Sequence, residues 1–146
     1  MPRVFLVLTA LFLLSGCAFQ PVDDRDRLTG TWTIFAIDQT EWEISPESEA
    51  IIILTTRFVF SPQRMVFEDG GTVLSDNPYV IDQSKIPARI VFQKSNGESA
   101  CGIYRFLGKN SLLFCLNQTD DGGFPREFKS VERKGIICFT LKRRPE

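Results

Sequence analysis

The sequence predicts an all-β domain built as a closed or nearly closed small antiparallel barrel, with a β-sandwich as the second arrangement. Three observations carry that expectation. From Leu28 onward the apolar residues fall in short runs rich in β-branched and aromatic side chains, and no run has a convincing helical period. Turn residues separate the runs: Ser61-Pro62, Asp69-Gly70-Gly71, Asn77-Pro78, Asn96-Gly97, Gly108-Lys109-Asn110 and Asp121-Gly122-Gly123. Within the runs, bulky rings alternate with polar or charged residues, which gives each strand one face for an interior and one for water. Closure is preferred to a sandwich because it leaves no open sheet edge.

The chain opens Met1-Pro2-Arg3 and is then apolar from Val4 to Leu14, with Thr9 as the polar interruption. A helix of that length spans about 16 Å, roughly half a bilayer core, so it reads as a signal-peptide segment and not as a membrane span. Leu14-Ser15-Gly16-Cys17 follows directly. This tetrad resembles the lipobox of bacterial lipoproteins, and the resemblance implies acylation of Cys17, removal of residues 1–16 and residence in the cell envelope, on the periplasmic or cell-surface side of a membrane. The plainer alternative is a secretory signal with an incidental cysteine. Residues 17–27, with Pro21 and the charged cluster Asp23-Asp24-Arg25-Asp26-Arg27, read as a lipidated, solvated tether. Ala18 is not the aspartate that marks inner-membrane retention in some bacteria.

The domain proper is expected over residues 28–146. Its strand candidates in order are Thr31–Ile37, Ala50–Leu54, Arg57–Ser61, Arg64–Glu68, Gly71–Leu74, Tyr79–Ile81, Arg89–Gln93, Cys101–Leu107, Ser111–Leu116 and Gly135–Lys142. Glu41–Glu49 is the one helical candidate, and Pro46 reduces it to a loop or a single turn. Alternation places Trp32, Phe58, Phe60, Phe92, Tyr104, Phe106, Phe114 and Phe139 inward. These are the candidate ligand-lining residues, and Tyr104 is the one able to orient a ligand through its hydroxyl. They are also numerous enough to fill a small barrel outright.

Composition narrows the function. The 146 residues include 43% hydrophobic and 24% charged side chains, which is ordinary for a globular chain of one domain. Lys and Arg total 17 against 18 Asp and Glu, so no bulk positive charge exists for a nucleic acid. Histidine is absent, which excludes Ser-His-Asp and Cys-His catalysis and histidine-ligated zinc. Residues 18–84 hold 4 basic and 12 acidic side chains, whereas residues 85–146 hold 12 and 6. Either the halves neutralise one another when strands pair, or the basic end Lys142-Arg143-Arg144 faces an anionic lipid or polymer.

Several segments together resemble a known family. Leu28-Thr29-Gly30-Thr31-Trp32, Arg57-Phe58-Val59-Phe60, Pro87-Ala88-Arg89-Ile90, Gly102-Ile103-Tyr104, Ser111-Leu112-Leu113-Phe114-Cys115, Phe124-Pro125-Arg126-Glu127-Phe128 and Leu141-Lys142-Arg143 occur in an order similar to a lipocalin-like domain of unknown function abundant in planctomycete-type bacteria. The resemblance covers residues 28–143. It implies that Gly30-Thr31-Trp32 closes the barrel floor, with Arg143 as the arginine packed on the indole.

Cys101, Cys115 and Cys138 remain after Cys17, all on outward faces of neighbouring strands. A Cys115–Cys138 disulfide is the first choice if their strands are adjacent, with free half-buried thiols as the alternative. No metal site, cofactor or catalytic constellation is expected: the acids of Glu41–Glu49 and Asp120-Asp121 lack EF-hand spacing, and serine has no elbow motif. The reading is therefore a monomeric, non-catalytic, lipid-anchored protein that binds a small apolar ligand or an envelope protein. Its alternatives are a packed interaction module without a cavity, using loops such as Glu41–Glu49 and Gln118–Phe128, and, more remotely, a hydrolase.

Overall fold

The computed structural model describes residues 21–119 and 123–145; the segment expected to be a signal peptide, Cys17 and Asp120-Asp121 lie outside the described residues. Eight strands close on themselves in chain order, each antiparallel to its neighbours: β1 (Gly30–Ile37), β2 (Thr56–Phe60), β3 (Arg64–Asp69), β4 (Thr72–Asp82), β5 (Ala88–Gln93), β6 (Ser99–Gly108), β7 (Ser111–Asn117) and β8 (Ile136–Arg143). The closing pair is β1 with β8, where Trp32 stands opposite Arg143 and Ile34 opposite Leu141.

The interior follows the period of two. Phe58, Phe60, Phe92, Tyr104, Phe114 and Leu141 are buried. Phe114 sits at mid-height, with the rings of Phe58, Phe60 and Phe92 edge-on to it at 5.7, 6.4 and 6.1 Å. That edge-to-face geometry is the arrangement the ring quadrupoles favour. Gly102 lets β6 and β7 approach closely, since a Cβ there would lie 2.7 Å from the Cys115 carbonyl. Gly70 and Gly71 make the β3–β4 turn with φ of 57° and 84°, the left-handed conformation a tight hairpin requires.

Three expectations need correction. The segment proposed as strand Ala50–Leu54 belongs to a helix, α2 (Pro46–Thr55). Pro46 does not interrupt this helix but opens it, where a missing N–H costs nothing. Ser45 caps the helix by accepting from the Ser48 N–H at 3.2 Å. Second, the proposed strands Gly71–Leu74 and Tyr79–Ile81 are one strand, β4, that runs through Asn77-Pro78. Pairing with β5 begins only at Tyr79, so Pro78 removes no ladder hydrogen bond on that side. Third, the segment 17–27 read as a solvated tether is not all extended chain, because Asp24–Leu28 forms a helix, α1, capped by the Asp23 side chain.

A strap crosses the outer face of β6, β7 and β8. Phe128 and Val131 pack there on Ile103, Cys115, Ile136 and Cys138, forming a second, smaller apolar cluster outside the barrel. Cys115 and Cys138 are directly opposite each other in the β7–β8 ladder and are joined by a disulfide. Cys101 is a buried free thiol, held in its protonated form by burial, which Arg89 only partly offsets.

Candidate functional site

The two ends of the barrel differ, and the difference defines the site. At one end, the floor, Trp32 is completely buried, its Nε1–H donating to the Leu28 carbonyl at 2.7 Å. Arg143 covers it, with the guanidinium carbon 4.4 Å from the ring centroid. The same guanidinium donates to the Thr29 carbonyl at 2.6 Å and to the Arg27 carbonyl. Gly30 has φ of 135°, and a Cβ there would stand 2.7 Å from Arg143 Nη1. The floor therefore needs glycine at position 30 for two independent reasons. α1 completes the seal: Arg27 lies over the Phe106 ring at 3.8 Å, and Tyr104 donates its hydroxyl to Asp24 Oδ2 at 2.9 Å. Burial first, then that hydrogen bond to Asp24, drives the Tyr104 pKa far above that of an ordinary phenol, so the group stays a donor.

At the other end, the mouth, a cavity of about 500 Å³ opens to solvent. Its base is apolar and largely aromatic, with Phe58, Phe67, Phe92, Phe139, Met65 and Leu116 facing in. Its rim is polar: Ser75, Asn77, Lys94, Asn96 and Gln118. α2 and the segment before it cover part of this end, with Trp42, Ile44, Ile52 and Ile53 packed on the core and Trp42 Nε1–H donating to the Ile136 carbonyl at 3.0 Å.

The cavity sits at the mouth because side-chain size is graded along the inward rows. On β6 the inward residues run Ala100, Gly102, Tyr104, Phe106 from mouth to floor; on β4 they run Ser75, Asn77, Tyr79, Ile81. Small and polar groups leave space above, and rings fill the space below. This grading is visible in the sequence once the direction of each strand is known, and it is the signal that the sequence reading missed.

The eight candidate lining residues therefore separate into three groups. Phe58, Phe92 and Phe139 line the cavity. Phe60 and Phe114 belong to the packed middle. Trp32, Tyr104 and Phe106 stand at the sealed floor, where Trp32 and Phe106 are 6.5 Å apart and Phe106 is also 5.9 Å from Tyr104. Tyr104 lies away from the mouth cavity; it joins the barrel to α1 and, with Phe106, Arg27 and Ile86, borders a smaller hollow of about 290 Å³ at the floor end. The cavity's polar groups, which composition did not single out, come from β4 and from the segments after β5 and β7.

No family model, no curated protein and no solved structure matches this chain. The site is thus read from its own geometry.

Other groups near the mouth serve the fold. Asp38 accepts from the Ser130 N–H and the Thr40 hydroxyl, both at 2.7 Å. Burial pushes its carboxyl upward, but those hydrogen bonds and the nearby Lys129 outweigh burial, and the net shift is below the ordinary value. Ser130 in turn accepts from the Cys138 N–H at 2.9 Å, which fixes the strap over the disulfide. Of the basic end, Arg143 is committed to the floor, and Lys142 donates to the Ser111 hydroxyl at 2.7 Å.

Proposed function

We propose that this protein is a lipid-anchored, non-catalytic binder of a small apolar molecule in a bacterial cell envelope, a monomeric barrel of lipocalin-like kind carrying its ligand at the mouth. The observation that supports this most is the cavity of about 500 Å³ with an aromatic base and a polar rim. Ligand sites in proteins occupy about 300–1,000 Å³ and combine an apolar lining with a few placed polar groups. Apolar area removed from water there would contribute about 25 cal/mol per Å². The rim would hold a polar end of the ligand at the level of Lys94 and Asn96.

The alternative, an interaction module with a solid interior, is favoured by the ring packing around Phe114 but leaves the mouth unused. Native mass spectrometry of protein from its own host separates the two. The binder carries a co-purifying small molecule, and Ala100→Phe, which projects from β6 into the cavity, loses it while keeping the fold. Wild-type protein found consistently at its bare polypeptide mass would count against the binder. A ligand retained unchanged by Ala100→Phe would place it elsewhere.

A further inference from the structure

We infer that the floor end of the barrel is a docking face for an anionic lipid surface, so that the cavity opens away from the membrane that holds the protein. The inference extends the anchored reading of Cys17 and adds to it an orientation and a set of contacting residues. The starting point is where the chain enters the structure. Pro21 and Val22 lie beside the β4–β5 connection: Val22 accepts a hydrogen bond from Gln83 Nε2 at 3.3 Å, and Gln83 accepts from the Asp24 N–H at 3.0 Å. Cys17 precedes Pro21 by four residues, a reach of at most about 14 Å. An acyl group on Cys17 therefore brings the floor, and not the mouth, to the bilayer.

The surface presented there suits that position. Ile86, at the tip of the β4–β5 connection, is 100% exposed, and Val22 beside it is 61% exposed. A fully solvated Ile86 and a mostly exposed Val22 on one end of a small barrel contribute little to the core, and both would enter the interfacial region of a bilayer. The same end of the barrel carries Arg25, Arg27, Lys85, Lys109, Lys142, Arg143 and Arg144, against Asp23, Asp24, Asp26 and Asp82. Some groups on both sides are engaged within the fold: Asp23 caps α1, Asp24 takes the Tyr104 hydroxyl and pairs with Arg27 at 3.4 Å, Arg143 lies over Trp32, and Lys142 donates to Ser111. The balance at this end is cationic, and a basic patch beside a lipid chain is the usual second signal for firm attachment. The mouth has the opposite character. Ile51, Leu54, Val73 and Leu74 are exposed there too, but Glu41, Glu47, Glu49, Glu68 and Asp69 stand at this end against Arg57, Lys94 and Lys129, so the balance is acidic and less suited to anionic headgroups.

The test uses the mature chain from Ala18, which retains α1 and every strand but carries no acyl group, so its result is independent of whether Cys17 is modified. Flotation is measured at low salt with vesicles of phosphatidylcholine containing about a quarter phosphatidylglycerol, and with phosphatidylcholine alone. Binding to the anionic vesicles only, lost as salt is raised, is expected. Lys85→Ala with Lys109→Ala should weaken partition about 25-fold, at about fivefold for each cation. Ile86→Ser should cost about tenfold more, and Leu54→Ser at the mouth should change nothing. Three results overturn the inference: no preference for anionic vesicles, indifference to the floor substitutions, or a loss caused by Leu54→Ser, which would seat the mouth on the membrane instead. Loss of the anchor alone is detected separately, by fractionation of a Cys17→Ala chain in cells.

Discussion

Arg143 shows how one side chain closes a barrel. Its guanidinium covers Trp32 at 4.4 Å and bridges to the carbonyls of Thr29 and Arg27, joining β8 to the entry of β1. A cation over an indole contributes about 0.5–2 kcal/mol, and a charged hydrogen bond adds about 1.5–3. Because the guanidinium is partly open to water, Arg143→Met is expected to lose about 2 kcal/mol, read as a lower urea midpoint with an unchanged slope. Gly30→Ala should lose a similar amount, about 1–3 kcal/mol, by forcing a strained φ and displacing Nη1. Since both changes break the same contact, the double variant should lose clearly less than the two single losses combined. Full additivity would mean that Gly30 acts through its backbone alone.

The pairing of Trp32 with Arg143 was expected from the resemblance to a lipocalin-like domain, not from the period of the strands. The role of Tyr104 was legible in neither. Alternation gives the direction in which a side chain points but not its height along the barrel, and height decides between cavity and floor.

Among the elements, the strap on the outer face is the one whose stability depends on acid. Asp38 ties it down through Ser130, and the folded-state pKa of Asp38 is held below its ordinary 3.8. A depressed carboxylate contributes stability that is complete above the unfolded value and is lost as pH falls through the folded one. The strap is therefore expected to hold at neutral pH and to loosen below about pH 4, seen as faster amide exchange at Ser130 and Cys138. In Asp38→Asn the same amides should exchange quickly at all pH values, and the acid step should vanish. An acid step that survives in the Asn variant would assign it to another group. The disulfide under the strap closes a loop with a sequence separation of 23, a constraint of about 3 kcal/mol on the unfolded chain, so the barrel itself should persist when the strap opens.

Element identity was legible wherever turn chemistry and alternation agreed, as at Asn96-Gly97 between β5 and β6 and at Gly108-Lys109-Asn110 between β6 and β7. It failed where an apolar run was short. Ala50-Ile51-Ile52-Ile53-Leu54 has the composition of a strand, yet only Ile52 and Ile53 pack against the core, and the cap at Ser45 with Pro46 behind it fixes the helix instead. A run of five aliphatic residues has no period long enough to tell strand from helix.

For the whole molecule, the two ends differ in character: the floor adjoins α1 and carries more basic than acidic residues, and the mouth holds the cavity. Charge asymmetry between the sequence halves thus becomes partly an asymmetry along the barrel axis, with the Lys129–Glu41 pair at 3.8 Å linking the halves near the mouth. If Cys17 bears the lipid, Cys17→Ala should move the protein from the membrane fraction to the soluble fraction or leave an uncut precursor of higher mass. Unchanged fractionation and mass in that variant would remove the anchor from the proposal.

By itself the sequence determined the strand period and the inward face of the rings, because each depends on neighbours two or three positions apart and on backbone geometry common to every strand. Only the tertiary structure decided which rings seal the floor and which border a cavity, that the tether segment folds into a plug, and that the outer cysteines lie beneath a strap. Those outcomes depend on the register between strands distant in the chain, and register is settled by closing the barrel as a whole.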